Sequence, residues 1–495
     1  MKKAYTHTII SAIILTCSTS IFAQETIQKN PPPQDEQSTK IQSGSSCCTK
    51  QPSTDCQQNN KTVCCKSEKE NGSSGVCQIP DSKENSFSKK WNFGGEARFR
   101  YETRNNRDLN SATPDHTAFV GSRVRLNLGF EPNDDLYVFI QPQFSGIWGQ
   151  GVATVSGSGL VTGGVVNSGG LSDPALNLHQ AYANWKISDQ FGMLIGRQEL
   201  QYGDEIVVGP VGFSNIGRSF DSILLRTTSP KNQTDFFYSK LADNDVTGSA
   251  FLGESDFAGI YSGSSDIASM DTLDFYSLYL RDRRGGSPTT FNFGTFGLRI
   301  KDKIGSFDYR LEGNGQVGQH LGNKMLAYMM DAEIGFTASV KQGLRVGLEL
   351  NRASGDKSSS TTFTRYHQLF PTLHRWLGYM DLFGRQNIQS GVFHANLKIN
   401  KQWTASFDLH SFWRVETQDV IYSVMTETPY TGQASPPASG KKHVGEEIDL
   451  VVAYNPVDFF ALKVMGGMFF PGAYFKSSIG NDVGYFSYIQ TTFTF

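Results

Sequence analysis

The amino-acid sequence predicts an all-β fold, a transmembrane antiparallel β-barrel of about 18 strands behind a disordered, Cys-rich N-terminal leader. Three observations predict it. Segments of about 10 to 14 residues alternate apolar and polar side chains, aromatic residues cluster near the segment ends, and the chain closes on an alternating segment that ends in Phe495. Membrane-spanning strands have this length and alternation, whereas strands of soluble proteins average about 5 to 6 residues.

Composition excludes two broad classes of protein. The 495 residues include 45 Lys+Arg and 47 Asp+Glu, for a formal net charge of −2, so no basic excess supports nucleic-acid binding. The sequence has no repeated runs of roughly 20 apolar residues, which excludes a helical membrane protein. The 50 Gly and 12% aromatic residues are compatible with a β-barrel.

Residues 1–23 have the pattern of a secretory signal peptide. Lys2 and Lys3 precede a short apolar segment at 9–15, and small residues lead to a cleavage site after Ala23. A lipidated Cys17 is the alternative, although Thr16 is a poor residue in front of such a cysteine. We therefore expect the mature protein to leave the cytoplasm.

Residues 24–90 are rich in Ser, Gln, Lys, Asn and Pro, and they carry too little apolar surface to offset the entropy of ordering. We expect a disordered periplasmic leader. In an oxidising compartment its six cysteines predict a small disulfide knot of undetermined connectivity, and a soft-metal site for Zn or Cu(I) is the alternative. Adjacent Cys-Cys pairs and the lack of His argue against that metal site. The six are Cys47, Cys48, Cys56, Cys64, Cys65 and Cys77.

Residues 91–495 read as strands with a period of two. In 91–105 the odd positions include Trp91, Phe93 and Tyr101, while the even positions are mostly charged. A soluble sandwich could also bury such an apolar face, but segment length and aromatic ends favour a barrel. The predicted strands are 91–105, 117–130, 135–148, 176–187, 190–198, 219–228, 233–242, 255–263, 272–283, 291–301, 304–318, 326–339, 342–354, 388–400, 402–415, 444–454, 458–470 and 483–495.

The connections between these segments alternate in length. Tight turns are expected at 131–134, 229–232, 302–303 and 455–457, and long loops at 149–175, 199–218, 355–387 and 416–443. This asymmetry is typical of bacterial outer-membrane barrels, and an even strand number places both termini on the short-turn, periplasmic side. The weakest segments are 190–198 and 255–263, so sixteen strands is the alternative.

A barrel of 16 to 18 strands leaves an aqueous channel, and its inward side chains are polar. The arginine-dense wall of the first two strands is expected to guide anions, whereas cross-strand ion pairs that satisfy one another are the alternative. Strand parity predicts that the pore is lined by Arg98, Arg100, Arg104, Arg123, Arg125, Arg310, Arg345, Lys398, Glu96, Glu102, Asp308 and Glu312.

No catalytic site or cofactor is expected. His367 and His374 lie in one long loop and could in principle bind a metal with Asp381, but we interpret them as hydrogen-bonding loop residues. A Ser-His-acid triad is recognised by geometry, which a sequence does not supply.

Two blocks of sequence resemble the bacterial alginate-export outer-membrane family. The first has His-Gln-Ala-Tyr at 179–182, Gly-Arg-Gln at 196–198, Tyr-Gly-Asp at 202–204 and Asn-Ile-Gly-Arg-Ser-Phe-Asp at 215–221. The second has Ser-Gly-Asp at 354–356, Leu-Phe-Pro-Thr-Leu-His at 369–374, Gly-Tyr-Met-Asp at 378–381 and Gly-Arg-Gln-Asn at 384–387.

This resemblance implies an 18-stranded monomeric barrel with an arginine-rich lumen. It also implies that Arg197, Arg218 and Arg385 face the pore or anchor loops, with partners Asp204, Asp221 and Asp381. The family's best-known members export alginate, but they carry a long periplasmic gating turn where this chain has the short turn at 455–457. A fold transfers within such a family better than a cargo does.

The sequence thus predicts a channel in the outer membrane of a Gram-negative bacterium, with periplasmic termini. It would pass anionic or polar solutes, with export of an anionic exopolysaccharide such as alginate as a special case. Expected partners are outer-membrane lipid and small solutes or polyuronate, and not nucleic acid. The alternative is a surface adhesion or metal-capture protein in which the barrel only anchors and the leader or the long loops bind.

Overall fold

The computed structural model describes residues 90–113, 115–148, 175–242, 254–267, 270–283, 290–338, 343–357, 361–372, 374–424, 428–430 and 440–495. The predicted signal peptide, the cysteine-bearing leader up to residue 89 and most of the expected loop at 149–175 lie outside the described residues.

The described residues form a closed antiparallel barrel of 18 strands, in which each strand pairs with its neighbour in sequence and the last pairs with the first. One further strand of two residues, β14, pairs in parallel with β12, and one short helix precedes the last strand. The elements are β1 Trp91–Asn105, β2 Thr117–Asn133, β3 Leu136–Ile147, β4 Ala175–Lys186, β5 Phe191–Gln198, β6 Phe220–Ser229, β7 Asn232–Ala242, β8 Ser255–Ile267, β9 Met270–Asp282, β10 Phe291–Ile304, β11 Phe307–His320, β12 Asn323–Thr337, β13 Leu344–Ala353, β14 Thr362–Phe363, β15 Ile388–Lys398, β16 Trp403–Arg414, β17 His443–Val457, β18 Phe460–Pro471, α1 Ala473–Ser478 and β19 Gly484–Thr494.

The predicted fold class and the count of 18 barrel strands are confirmed. The two weakest segments of the sequence both form strands, β5 and β8, so the sixteen-strand alternative is wrong. The two-residue β14 lies within the region that the sequence predicts as the long loop 355–387. Among the described residues, no helix is long and apolar enough to cross a membrane.

Three predicted turn positions are wrong. The turn expected at 302–303 lies instead at Gly305 and Ser306, because β10 continues to Ile304 and Gly305 supplies the positive φ (64°) that a tight turn needs. The segments expected as turns at 131–134 and 455–457 belong largely to β2 and β17. The pairing register shifts next to both of their prolines, and a bulge tolerates a residue without an N–H.

The outer surface of the barrel is apolar. Phe93, Leu348 and Leu350 point outward and are 72%, 59% and 67% exposed, as lipid-facing side chains should be. Aromatic pairs stand at the short-turn ends of neighbouring strands, where an interfacial girdle is expected. These pairs are Trp91 with Phe130, Phe307 with Phe336, Trp403 with Tyr454, and Phe460 with Phe493.

Two long connections pack against the inner wall of the barrel. Loop A (residues 199–219) joins β5 to β6, and loop B (residues 354–387) joins β13 to β15. Phe370 of loop B packs on Phe220 and Phe257 of the wall, with ring centroids 5.4 and 4.8 Å away. Phe383 of the same loop packs on Phe412 at 5.0 Å. These aromatic contacts give the inside of the barrel a packed core.

The lipid-facing assignment predicts a depth-dependent cost of charge. Leu348→Arg places a cation in the middle of β13 and should lower the free energy of unfolding by about 2 to 4 kcal/mol. Ile304→Arg, at the end of β10 beside a short turn, is the matched control and should cost about 0 to 1 kcal/mol. Urea unfolding in lipid vesicles measures both, and equal costs would contradict the assignment.

Candidate functional site

Four arginines form one continuous basic surface on the inner wall of β1 and β2. Arg98 stands directly opposite Arg123 in the pairing register, and Arg125 stands opposite Glu96. Arg100 follows Arg98 on the same face because strand side chains alternate with a period of two. We call Arg98, Arg100, Arg123 and Arg125 the arginine row. All four side chains are buried.

Loop A covers the arginine row with backbone carbonyl groups. Arg98 Nη1 donates to the carbonyl oxygen of Gly212 at 2.8 Å, and Arg100 Nη1 donates to that of Phe213 at 2.8 Å. Arg123 Nη1 donates to the carbonyl oxygen of Ser214, also at 2.8 Å. These acceptors are neutral, so they satisfy the N–H donors without cancelling the positive charge.

Carboxylates compensate this wall only in part. Among the described residues, three carboxylates form ion pairs with its arginines: Glu96 with Arg123 at 2.7 Å, Glu102 with Arg100 and Arg104 at 3.0 and 2.7 Å, and Glu199 with Arg125 at 3.5 Å. Arg98 forms no such pair within the described part of the chain, and its guanidinium donates to loop A. With Arg104 included, five guanidinium groups face three carboxylates, so this side of the interior carries a positive excess.

On the wall formed by β11 to β13 the arginines are paired instead, and carboxylates outnumber them. Arg310 contacts Asp331, Glu333 and Glu349, the last two at 3.2 and 3.0 Å. Arg345 contacts Asp308 and lies 2.8 Å from Glu333. The cross-strand ion-pair alternative therefore describes these strands, whereas among the described residues the basic excess lies on the side of β1 and β2.

Strands β16 and β17 carry an acidic wall that the sequence analysis did not single out. Glu447 Oε1 accepts the backbone N–H of Met380 at 2.9 Å, and Asp449 Oδ2 accepts that of Tyr379 at 3.1 Å. The acidic wall therefore holds N–H groups of loop B, as the arginine row holds carbonyl groups of loop A. The two-residue spacing of Glu447 and Asp449 in β17 could have predicted this wall from the sequence.

Loops A and B are joined to each other by backbone hydrogen bonds. The Phe370 N–H donates to the Val207 carbonyl at 3.0 Å, and the Gly209 N–H donates to the Phe370 carbonyl at 2.8 Å. Arg218 of loop A donates to the carbonyls of Phe370 and Pro371 of loop B. Burial lowers the pKa of Arg218 to about 10, which leaves it charged at neutral pH. The two loops therefore form one joint structure inside the barrel.

A carboxylate ties loop A to the wall. Asp204 accepts from Arg299 Nη2 at 2.6 Å and lies 3.4 Å from Lys301 Nζ, both on β10. Burial acts to raise the pKa of Asp204, but the neighbouring Arg299, Lys301 and Arg310 outweigh it and lower this pKa below its ordinary value. Asp204 is therefore ionised at neutral pH, and its contact with Arg299 is an ion pair.

The three arginines to which the family resemblance pointed have different environments. Arg197 shares the strand face of the outward Ile195, so its predicted position on the pore wall is wrong. It forms a two-point ion pair with Asp221, at 2.7 and 2.8 Å, which is one of the partners that the resemblance implied. Arg218 anchors loop A to loop B. Arg385 is 1% exposed and contacts Asn351 and Asp331, so it anchors loop B to the wall.

The other two implied partners contact different residues. Asp204 pairs with Arg299, and Asp381 pairs with His374 at 2.8 Å. No pattern in the sequence marked Arg299 as an anchoring residue, although its even spacing from Lys301 fits an inward face. The remaining residues predicted by strand parity point to the inside of the barrel. That they line an open pore stays a prediction. They are Arg310, Arg345, Lys398, Asp308 and Glu312.

Within the described ranges, no group of three or more His, Cys, Asp or Glu side chains is arranged to hold a metal ion. His367 lies against the rings of Phe291 and Phe293, at 4.5 and 5.2 Å, whereas His374 pairs with Asp381 at 2.8 Å. The cysteines of the alternative metal site lie outside the described residues.

Comparison with known proteins agrees with this architecture. The family model described as alginate export matches residues 89–488. The fold is similar to Pseudomonas aeruginosa OccK2 (OpdF), solved in complex with glucuronate, with a TM-score of 0.56 and 9% identity over 82% of this chain and 98% of that one.

Two further solved structures show the same likeness. P. aeruginosa OccK5 (OpdH) has a TM-score of 0.54 and 12% identity, and Acinetobacter baumannii OccAB4 has a TM-score of 0.51 and 13% identity. Each match covers 82% of this chain and 98% of the other. At such low identity the likeness concerns the fold alone. No curated protein gives a significant match.

A closed 18-strand barrel with polar walls and loops packed inside defines an outer-membrane channel of the porin class. The family model covers most of the chain, and the protein belongs to the alginate-export family of outer-membrane proteins. The family and the structural neighbours are channels and porins, not enzymes.

The Asp204 contact predicts how acid affects the channel. A carboxylate with a lowered pKa stabilises its contact fully above the ordinary Asp pKa, and loses this contribution as the pH falls through the lowered value. Single-channel current should therefore stay steady on acidification through the ordinary Asp range and become noisier only below it. The current through Asp204→Asn should be noisy already at neutral pH, because the contact of loop A with the barrel wall loses about 2 kcal/mol of stabilising free energy.

The control for this prediction is Asp189→Asn, since Asp189 is an exposed turn residue whose side chain is 91% accessible. This variant should behave like the unmodified protein. Steady current in Asp204→Asn at neutral pH would contradict the role of Asp204.

Proposed function

We propose that the protein is a passive outer-membrane channel that prefers anionic solutes of the uronate class. One observation carries this proposal. The arginine row lies inside the barrel, and loop A caps it with neutral carbonyl oxygens while carboxylates compensate it only in part. The positive excess is thus retained inside the channel.

Electrostatics gives this excess a functional consequence. A wall of one sign inside a low-dielectric barrel raises the local concentration of oppositely charged solutes, and Arg or Lys walls favour anions. A solute carboxylate is also a stronger acceptor than a backbone carbonyl, because charge-assisted hydrogen bonds are about twice as strong as neutral ones. An anionic solute can therefore compete with loop A for the donors of Arg98 and Arg100.

The comparisons support the choice of uronates. The neighbour OccK2 was solved with glucuronate, and the family takes its name from export of alginate. A monomeric uronate and a polyuronate share the carboxylate that the arginine row would recognise. Export of alginate itself is the special case in which the solute is a polymer.

The asymmetry of the connections supports an orientation. The short turns and both strand termini of the barrel lie at one end, and loops A and B start from the other. In bacterial barrels the short turns face the periplasm, so we place the termini and the leader at 24–90 in the periplasm and the long loops outside. The barrel closes on itself, which is compatible with a monomer.

Uptake by liposomes tests the solute preference. The double variant Arg98→Gln/Arg100→Gln should lower the rate of glucuronate uptake relative to uncharged glucose by about tenfold, since a hydrogen bond to a charged group contributes about 1.5 kcal/mol. The ratio of the two rates is the readout, because loosening loop A can raise both.

Arg352→Gln is the matched control, because Arg352 points outward from β13 and donates to Tyr328 on the outer surface. Its uptake ratio should equal that of the unmodified protein. An unchanged ratio in the double variant would contradict the proposal, and no uptake of either solute by the unmodified protein would favour the anchoring alternative.

A further inference from the structure

The outer surface of β5 to β9 carries a row of charged side chains in direct cross-strand register. Arg197 pairs with Asp221, Asp221 with Lys240, Lys240 with Asp256, and Asp256 with Arg281. Each lies within two residues of the strand end next to a long connection. We call these five residues the outer charged row. Charge on the lipid face costs least near the interface, so this row marks the headgroup level of the membrane.

The centre of the outer charged row presents cations around a covered acid. Asp256 accepts from Lys240 Nζ at 3.1 Å and lies 3.6 Å from Arg281 Nη1. Its side chain is 11% exposed, whereas those of Lys240 and Arg281 are 33% and 32% exposed. Glu254 also lies 3.4 Å from Arg281 Nη2 and 3.4 Å from Arg283 Nη1. Three cations thus face two carboxylates here, and Lys240 and Arg281 are more accessible than Asp256. This arrangement is complementary to a phosphate rather than to an ammonium.

Two outward tyrosines lie one alternation step closer to the membrane centre. Tyr238 stands opposite Ala258, which stands opposite Tyr279. Tyr238 Oη donates to Asp256 at 2.7 Å, and Tyr279 Oη donates to Asn292 at 2.7 Å, so both hydroxyls point towards the polar level. Aromatic rings with a polar tip prefer the boundary between headgroups and acyl chains.

An apolar groove of about 520 Å³ opens between these tyrosines. The small side chains of Ala258 and Ser277 form its floor, and Ile223, Phe236, Tyr238 and Tyr279 are among its walls. The groove faces the lipid and starts one step, roughly 7 Å, below the outer charged row. A ligand that fills it must carry an apolar chain and, at the adjacent level, a group that binds Lys240 and Arg281.

We propose that this surface binds a phosphorylated, acylated glycolipid of the lipopolysaccharide type. A phosphate of its headgroup contacts Lys240 and Arg281, and one acyl chain lies in the groove between Tyr238 and Tyr279. The choice of this outer-leaflet lipid rests on the orientation proposed above. Solute preference inside the barrel does not enter the argument, so the two proposals fail independently.

Native mass spectrometry of the delipidated full-length protein tests the proposal, with lipid A, phosphatidylglycerol and phosphatidylcholine as probes. Lys240→Gln/Arg281→Gln should weaken lipid A binding about tenfold by removing the phosphate contacts. Ala258→Leu should weaken it at least about threefold by filling the groove with the charges intact. The matched control is Lys324→Gln, an outward and exposed cation three strands away on β12, which should leave binding unchanged.

Gel mobility of the unheated protein checks that each variant is folded, and unchanged single-channel conductance in salt solution checks that the channel is intact. Two results support the proposal together. Lipid A binds more tightly than either phospholipid, and both Lys240→Gln/Arg281→Gln and Ala258→Leu weaken its binding. The proposal is overturned if Lys324→Gln loses as much lipid A binding, or if phosphatidylglycerol binds as tightly as lipid A. It is also overturned if Lys240→Gln/Arg281→Gln and Ala258→Leu convert a dimer to a monomer without loss of lipid. The last result would identify the surface as a contact between two copies of this chain.

Discussion

The capping of buried guanidinium groups by backbone carbonyls is the interaction on which the interior of this barrel depends. Arginine stays protonated in proteins, so the arginine row must find acceptors or leave buried charges unsatisfied, at a cost of several kcal/mol. Loop A supplies those acceptors at Gly212, Phe213 and Ser214. The position of loop A therefore follows from the charge on β1 and β2, and its contacts with loop B follow from its position.

A second wall, on β16 and β17, uses the complementary chemistry, and β17 lies three strands from β1 around the barrel. The carboxylates of Glu447 and Asp449 accept N–H groups of loop B, whereas the arginine row donates to carbonyl groups of loop A. The two peptide segments are thus held from two walls of opposite character and meet at Phe370. A solute that passes through the barrel meets the excess of positive charge on the side of β1 and β2, which is the physical basis of the proposed anion preference.

Sequence reasoning predicted the strands and their inward faces because both depend on a local period of two. It found Arg98, Arg100 and Arg123 for that reason. It could not find what covers them, because Arg98 and Gly212 are 114 residues apart and no local pattern links them. Turn positions failed where prolines sit in bulged strand ends, since Pro132 and Pro456 resemble turn residues in sequence. The acidic wall was within reach, because Glu447 and Asp449 alternate like the arginines do.

The zero-current potential of the purified protein in a planar bilayer, measured under a salt gradient, tests the central claim most directly. A positive excess inside the channel predicts that anions cross more readily than cations, so the potential should have the sign of an anion-selective channel. The same potential should weaken as the salt concentration rises on both sides, because screening shortens the reach of the arginine row. A potential of the opposite sign, or one of zero in a conducting channel, would contradict the account.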